Sequence, residues 1–290
     1  MSPIKEKHPK KSYRLWIIYL IIFIICIFGI ASAVYFQFNQ VEHIQTVSEE
    51  DEKKSEEEDR YNYLKAEFPA LFTNNVERVK TTSTQVEKIN NNFDIVATAY
   101  KYEKLEENYK LNVYIPQINV KKDIPIEINK SIRDKFKNKV EEIEKLNNSE
   151  YTIYSVTYKA YLQQDILSLV IRSEFKEGSN GQIIQIETYN YNIAEDKEVT
   201  LEDLLAQKGL KVSEVENKVQ NEIKKTQEQN EALIGVLSNQ NVVFKRDYKS
   251  EIYKVENTDQ YFLGKDGMLY LVYAYGNTED TSENDVVIFK

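Results

Sequence analysis

The chain opens on a hydrophobic pattern with no period at all. From Leu15 to Phe36 there are 22 residues without a charge, and their apolar side chains (Ile17, Ile18, Leu20, Ile21, Ile22, Phe23) would cover every face of a helix. At ~1.5 Å per residue such a helix is ~33 Å long, the thickness of a bilayer core. A core helix of that length would show a polar side. The pattern therefore predicts a transmembrane helix over 15–36. A basic tail, 1–14, carries Lys5, Lys7, Lys10, Lys11 and Arg14 against Glu6, and an acidic run, Glu49 to Asp59, follows the helix. This asymmetry places the N-terminus in the cytoplasm and the C-terminus outside the cell membrane. Residues 37–79 then read as a charged stalk.

Beyond the stalk the periods become those of folded elements. Phe93, Ile95, Ala97 and Ala99 alternate with more polar residues, as do Leu111, Val113 and Ile115, which predicts two strands. Ile128, Ile132, Phe136, Val140 and Ile143 recur at helical spacing on one stripe. These elements form a first module, 80–148. A second, 149–290, begins with strands over Tyr151–Tyr158, Asp165–Ile171 and Gln182–Ile193, with a turn at Gly178–Gly181. Thr200-Leu201-Glu202-Asp203 reads as a capping box opening a helix. Val212, Val215, Val219 and Ile223 give a second helix its stripe, and strands return at Tyr261–Leu263, Met268–Tyr275 and Val286–Phe289. Strands grouped apart from helices, without βαβ alternation, argue for an α+β fold: two small modules of antiparallel sheet packed with amphipathic helices.

Composition narrows the chemistry. The one cysteine, Cys26, lies in the apolar run, and the two histidines, His8 and His43, lie before the first module. The folded region therefore has no disulfide, no thiolate or imidazole metal ligand and no histidine base. Beyond residue 40 stand 33 basic and 46 acidic residues, a net charge of −13, which disfavours nucleic acid. No catalytic, cofactor-binding or metal-ligating residue is expected. The carboxylates Glu195, Asp196, Glu198, Glu202 and Asp203 read as a solvated turn and helix cap. A carboxylate-based envelope hydrolase remains a remote alternative, since no two acids pair clearly.

The candidate ligand-binding residues are Ser179 and Asn180 in the Gly178–Gly181 loop, and Tyr270, Tyr273 and Tyr275, an aromatic stripe on the last hairpin. Ala31-Ser32-Ala33, near the outer end of the apolar run, has the small-x-small form that signal peptidase cuts. An uncleaved anchor is the expectation, with cleavage at Ala31 and Ala33 the alternative.

Several short motifs resemble a known family. Tyr114-Ile115-Pro116-Gln117 followed by Ile128-Asn129 is similar to the module that precedes the catalytic domain of PdaC-type peptidoglycan deacetylases. Asp165-Ile166-Leu167-Ser168-Leu169, the Gly178–Gly181 loop, Thr188-Tyr189-Asn190-Tyr191-Asn192 and Val199 to Leu204 resemble the module that usually follows it. Phe262 to Gly267 and Tyr273-Ala274-Tyr275 fit the same pattern. The pair also resembles the extracellular part of RsiV, the lysozyme-sensing anti-sigma-V factor. The resemblance implies a non-catalytic envelope module with a lysozyme-like protein or peptidoglycan as partner. It lacks the deacetylase's aspartates and histidines, and only about 14 residues precede the anchor where an RsiV-type protein carries an anti-sigma domain. A sensor with regulated cleavage near Ala33 is the runner-up reading.

Overall fold

The computed structural model describes residues 49–80, 85–145, 150–237, 246–274 and 283–290. The apolar run 15–36, with Ala31 and Ala33, and Tyr275 lie outside the described residues. Among the described residues no helix is long and apolar enough to cross a membrane. The chain divides into two units, residues 1–60 and 61–290. The described part of the first is the acidic opening of helix α1 (Glu49–Glu67).

The second unit is mixed α+β. Its larger sheet takes β2 (Val96–Leu105), β3 (Tyr109–Ile118), β4 (Thr152–Gln163), β5 (Ile166–Glu177), β6 (Ile183–Asn192) and β7 (Lys197–Glu198) in that order. Most neighbours are antiparallel, but β3 runs parallel to β4 over Thr152–Val156. Where β3 leaves that edge, β1 (Asn75–Lys80) takes it over, again parallel, from Lys159 to Gln163. The smaller sheet is antiparallel, β10 (Asn284–Phe289), β9 (Leu269–Ala274) and β8 (Gln260–Leu263). Helix α2 (Asp123–Lys145) precedes β4, while α3 (Leu201–Lys208) and α4 (Val212–Leu237) lie between β7 and β8 in the chain.

Strand alternation sorts the side chains into four layers. Leu167, Leu169 and Ile171 of β5 and the even-numbered residues of β4 pack with the stripe of α2, Ile128 to Ile143. The other face of the larger sheet offers Tyr161, Val170 and Ile186 to Phe262, Tyr270, Val272 and Ile288 of the smaller. The far side of the smaller sheet packs Leu269, Leu271 and Tyr273 against Leu204, Val215 and Val219 of α3 and α4. The order is helix, sheet, sheet, helix.

Three expectations change. The boundary proposed at residue 148 falls between β3 and β4, which are bonded in one sheet, so the two sets of strands share a layer. The stalk ends earlier than residue 79. Leu64 and Phe68 are buried and 75–80 is a strand, because this stretch carries enough apolar surface (Leu64, Phe68, Leu71, Phe72) to join the core between the sheets. In β2 the inward face is the even one, carrying Tyr100 and Tyr102, while Phe93 and Ala99 are exposed. A tyrosine removes far more apolar area from water than an alanine, and a bulge between Thr98 and Tyr100 shifts the phase to suit it.

Candidate functional site

The sequence-derived candidates do not come together. Ser179 and Asn180 are exposed at the tip of the β5–β6 turn, where the Asn180 amide donates to the Glu177 carbonyl at 3.0 Å. Gly178 has φ +52°, a left-handed conformation that glycine adopts without strain, so this glycine serves the turn itself. Tyr270 and Tyr273 are three residues apart on one strand and face opposite sides of the smaller sheet. Tyr270 is fully buried between the sheets and stacks on Phe262 at 4.6 Å, which in turn stacks on Tyr161 at 6.0 Å. It is a core residue, inaccessible to an outside ligand while the sheets stay packed. The carboxylates after β6 are used locally. Asp196 accepts the Tyr191 hydroxyl at 2.7 Å, Glu195 pairs with Lys197 at 2.9 Å, and Asp203 closes the capping box with Thr200. Among the described residues no group of three or more His, Cys, Asp or Glu converges as a metal site.

Tyr273 leads to a different feature. Beside it a groove of about 420 Å³ opens between the start of β6 and the rim of the smaller sheet. Ile184 and Ile186 of β6 form one wall. Val272, Tyr273 and Ala274 of β9 form the other, and Ile252, largely exposed, stands at the mouth. The polar lining is Gln185, Glu187, Asn257, Thr258, Asp259, Gln260 and Asn284. Apolar walls with a few placed polar groups, at this size, are the usual make-up of a ligand site.

Hydrogen bonds between the sheets set the groove's inner end. Gln260 Oε1 accepts the Thr188 amide at 2.8 Å, and the Thr188 hydroxyl accepts the Tyr261 amide at 3.1 Å. Asn190 donates to the Tyr261 carbonyl at 2.8 Å, and the Ser168 hydroxyl accepts the Leu263 amide at 3.1 Å. Side chains of β5 and β6 thus satisfy the edge of β8 and clamp the two sheets. At the back wall Thr258 donates its hydroxyl proton to the Lys254 carbonyl at 2.9 Å. Having one proton, it must accept at its 3.1 Å contact with Tyr273, so the tyrosine is the donor. Burial pushes the Tyr273 phenol up to about 12. The back wall is therefore neutral at physiological pH, and charge is confined to the rim. There Glu187 pairs with Lys135, and Asp259 is exposed.

Of the sequence-derived candidates among the described residues, Tyr273 alone lines this groove. Ile184 and Ile186 read as ordinary strand residues, and their place beside Asn257–Gln260, some 70 residues on, follows only from sheet packing. The one local signal was the brevity of β7, visible as a run of charges where a strand partner would be apolar.

No family model matches the chain, and no curated protein matches it. Solved structures are similar in part, two of them as follows. One is a DUF3298 family protein from Pseudomonas aeruginosa PAO1, at 14% identity and a TM-score of 0.39, with 63% of this chain and 83% of that one covered. The other is a member of the same family from Bacteroides fragilis, at 12% identity and a TM-score of 0.31, with 62% and 81% covered. Likeness at this level does not assign the chain to that family.

Proposed function

We propose that this protein is a non-catalytic ligand-binding module of a bacterial cell envelope, held by one transmembrane helix over 15–36 with its folded region outside. The groove between β6 and the smaller sheet is its ligand site. The observation that carries this reading is the groove itself, a cavity of about 420 Å³ with apolar walls and a rim of amides and carboxylates. The acidic surface favours a cationic ligand, and the sequence resemblance suggests a lysozyme-like protein or peptidoglycan. No cofactor is involved.

The test is binding of lysozyme and of isolated peptidoglycan to the full-length chain in detergent, beside an Ala274→Trp variant that fills the groove. Affinity for at least one of the two should fall by roughly tenfold or more in the variant, a loss of ~1.4 kcal/mol. Binding that ignores Ala274→Trp, or no binding of either, would remove the groove from the account. The sensor reading keeps one observation in its favour, the Ala31-Ser32-Ala33 motif. It requires lysozyme to provoke release of the folded region and Ala33→Trp to block that release.

A further inference from the structure

The groove has one wall that is also a strand edge. Three hydrogen bonds fix which way the β6 backbone points. The Ile193 amide turns toward β5, donating to the Asp165 carbonyl at 2.7 Å. The Asn190 carbonyl points the other way and accepts from Val199 at 2.9 Å, and the Thr188 amide points the same way, to Gln260. A strand's amides alternate with a period of two. The N–H and C=O of Ile184 and Ile186 therefore face outward, away from β5. β7 pairs only with Tyr191 and Asn192, so from Ile184 to Ile186 this edge has no strand partner among the described residues. The edge of β8 is clamped by side chains, as described above, whereas this stretch of β6 borders the open groove.

We propose that the outer edge of β6 accepts an extended peptide segment of another protein as an added strand, with an apolar side chain of that segment entering the groove and basic side chains at its rim. This rests on the reading of the groove as the ligand site and names what that site takes. Unpaired edges recruit strands through main-chain bonds, and adjacent pockets select the alternate side chains. Ile184, Ile186, Val272 and Ile252 suit an aliphatic side chain. A glycan would need an exposed aromatic face to stack on, and Tyr273, the one aromatic residue of the lining among the described residues, is 5% exposed. A second copy of the chain is disfavoured by its own charge, −13 beyond residue 40. The same charge, with the exposed Asp259 carboxylate at the rim, selects for lysine or arginine on the incoming strand.

The probe is the end-blocked octapeptide Lys-Thr-Val-Lys-Val-Thr-Val-Lys, titrated by calorimetry into the full-length chain in detergent. Two further peptides carry N-methyl groups on alternate residues, one set on the odd positions and one on the even. Strand addition uses one set of amides, so one methylated peptide should lose about tenfold or more in affinity and the other should bind like the parent. Ile184→Pro removes an outward donor without touching the β5 ladder, so it should keep the parent's melting temperature and weaken the probe by a similar factor. Should that variant fail to fold, the methylated pair measured on the parent chain decides alone. Equal affinity of both methylated peptides overturns strand addition. If Ala274→Trp still abolishes that binding, or if peptidoglycan binds in the groove while the octapeptide does not, the groove remains a ligand site and strand addition falls. Concentration-dependent self-association abolished by Ile184→Pro would assign the edge to a second copy and overturn the proposal. Failure of the octapeptide, lysozyme and peptidoglycan alike would remove the groove reading together with this one.

Discussion

Tyr273 is one of several tyrosines whose phenols are pushed up by burial, with Tyr154, Tyr161, Tyr191 and Tyr253. The consequence for stability has a definite sign. An unfolded tyrosine ionises near pH 10, whereas the folded ones stay neutral, so their contribution is whole below pH 10 and is lost as pH climbs toward about 12. The urea midpoint should hold steady up to about pH 9 and fall steeply above about pH 10, with phenolate absorbance appearing as the chain unfolds. Phenolate absorbance growing in fully while the fold persists would show these rings to be accessible. Tyr161 offers a sharper test, because its buried hydroxyl has no hydrogen-bond partner among the described residues. Tyr161→Phe removes a polar atom that folding strips of water, so the variant should match or exceed the parent's stability by up to ~1 kcal/mol. Marked destabilisation would reveal a partner for that oxygen. The buried Arg246–Asp285 pair predicts the opposite. Its bonds of 2.8 and 2.9 Å join side chains 3% and 8% exposed. Asp285→Asn leaves the buried, still charged guanidinium without its counter-charge and should cost ~3–5 kcal/mol in denaturant unfolding.

At the level of elements, much was legible because period and punctuation agree. The stripe Ile128 to Ile143 became the buried face of α2, and Thr200-Leu201-Glu202-Asp203 became a real capping box, with reciprocal bonds of 3.2 Å. Thr200→Ala should therefore cost ~1 kcal/mol, read as a lower melting temperature and a frayed first turn of α3 by hydrogen exchange. An unchanged melting temperature would mean the Leu201, Leu204 and Leu205 contacts hold α3 without its cap. What sequence pattern could not supply was pairing. Alternation identifies a strand but says nothing of its neighbour, so the β3–β4 and β1–β4 joins, and the open edge of β6, were invisible. β2 was misread in phase because alanine and tyrosine both count as apolar in a pattern but differ greatly in what burial gains. The groove was illegible for a related reason. Its walls come from β6 and β9, and apart from Tyr273 their residues are of types that any strand carries.

For the molecule as a whole, β4 is the shared member, with β1 and β3 on one edge and β5 on the other. A fragment ending at residue 148 has the first module's sequence but lacks that strand. It should show little cooperative unfolding, whereas 41–290 should melt in one transition. A fragment 80–148 that melts cooperatively would restore the module boundary as a folding boundary. The β1–β4 join also sets a timetable. Asn75 and Lys159, bonded at 2.9 Å, are 84 residues apart, and the earlier one is made first. At translation rates of ~5–20 residues per second, β1 waits roughly 4–17 s for its partner to be synthesised. Over that interval Val76 and Val79, destined for the interior, are open to solvent on the growing chain. The strand laid down first thus cannot be placed until β4 has been made, and a holdase that shelters it would act during synthesis, before the strand it joins exists.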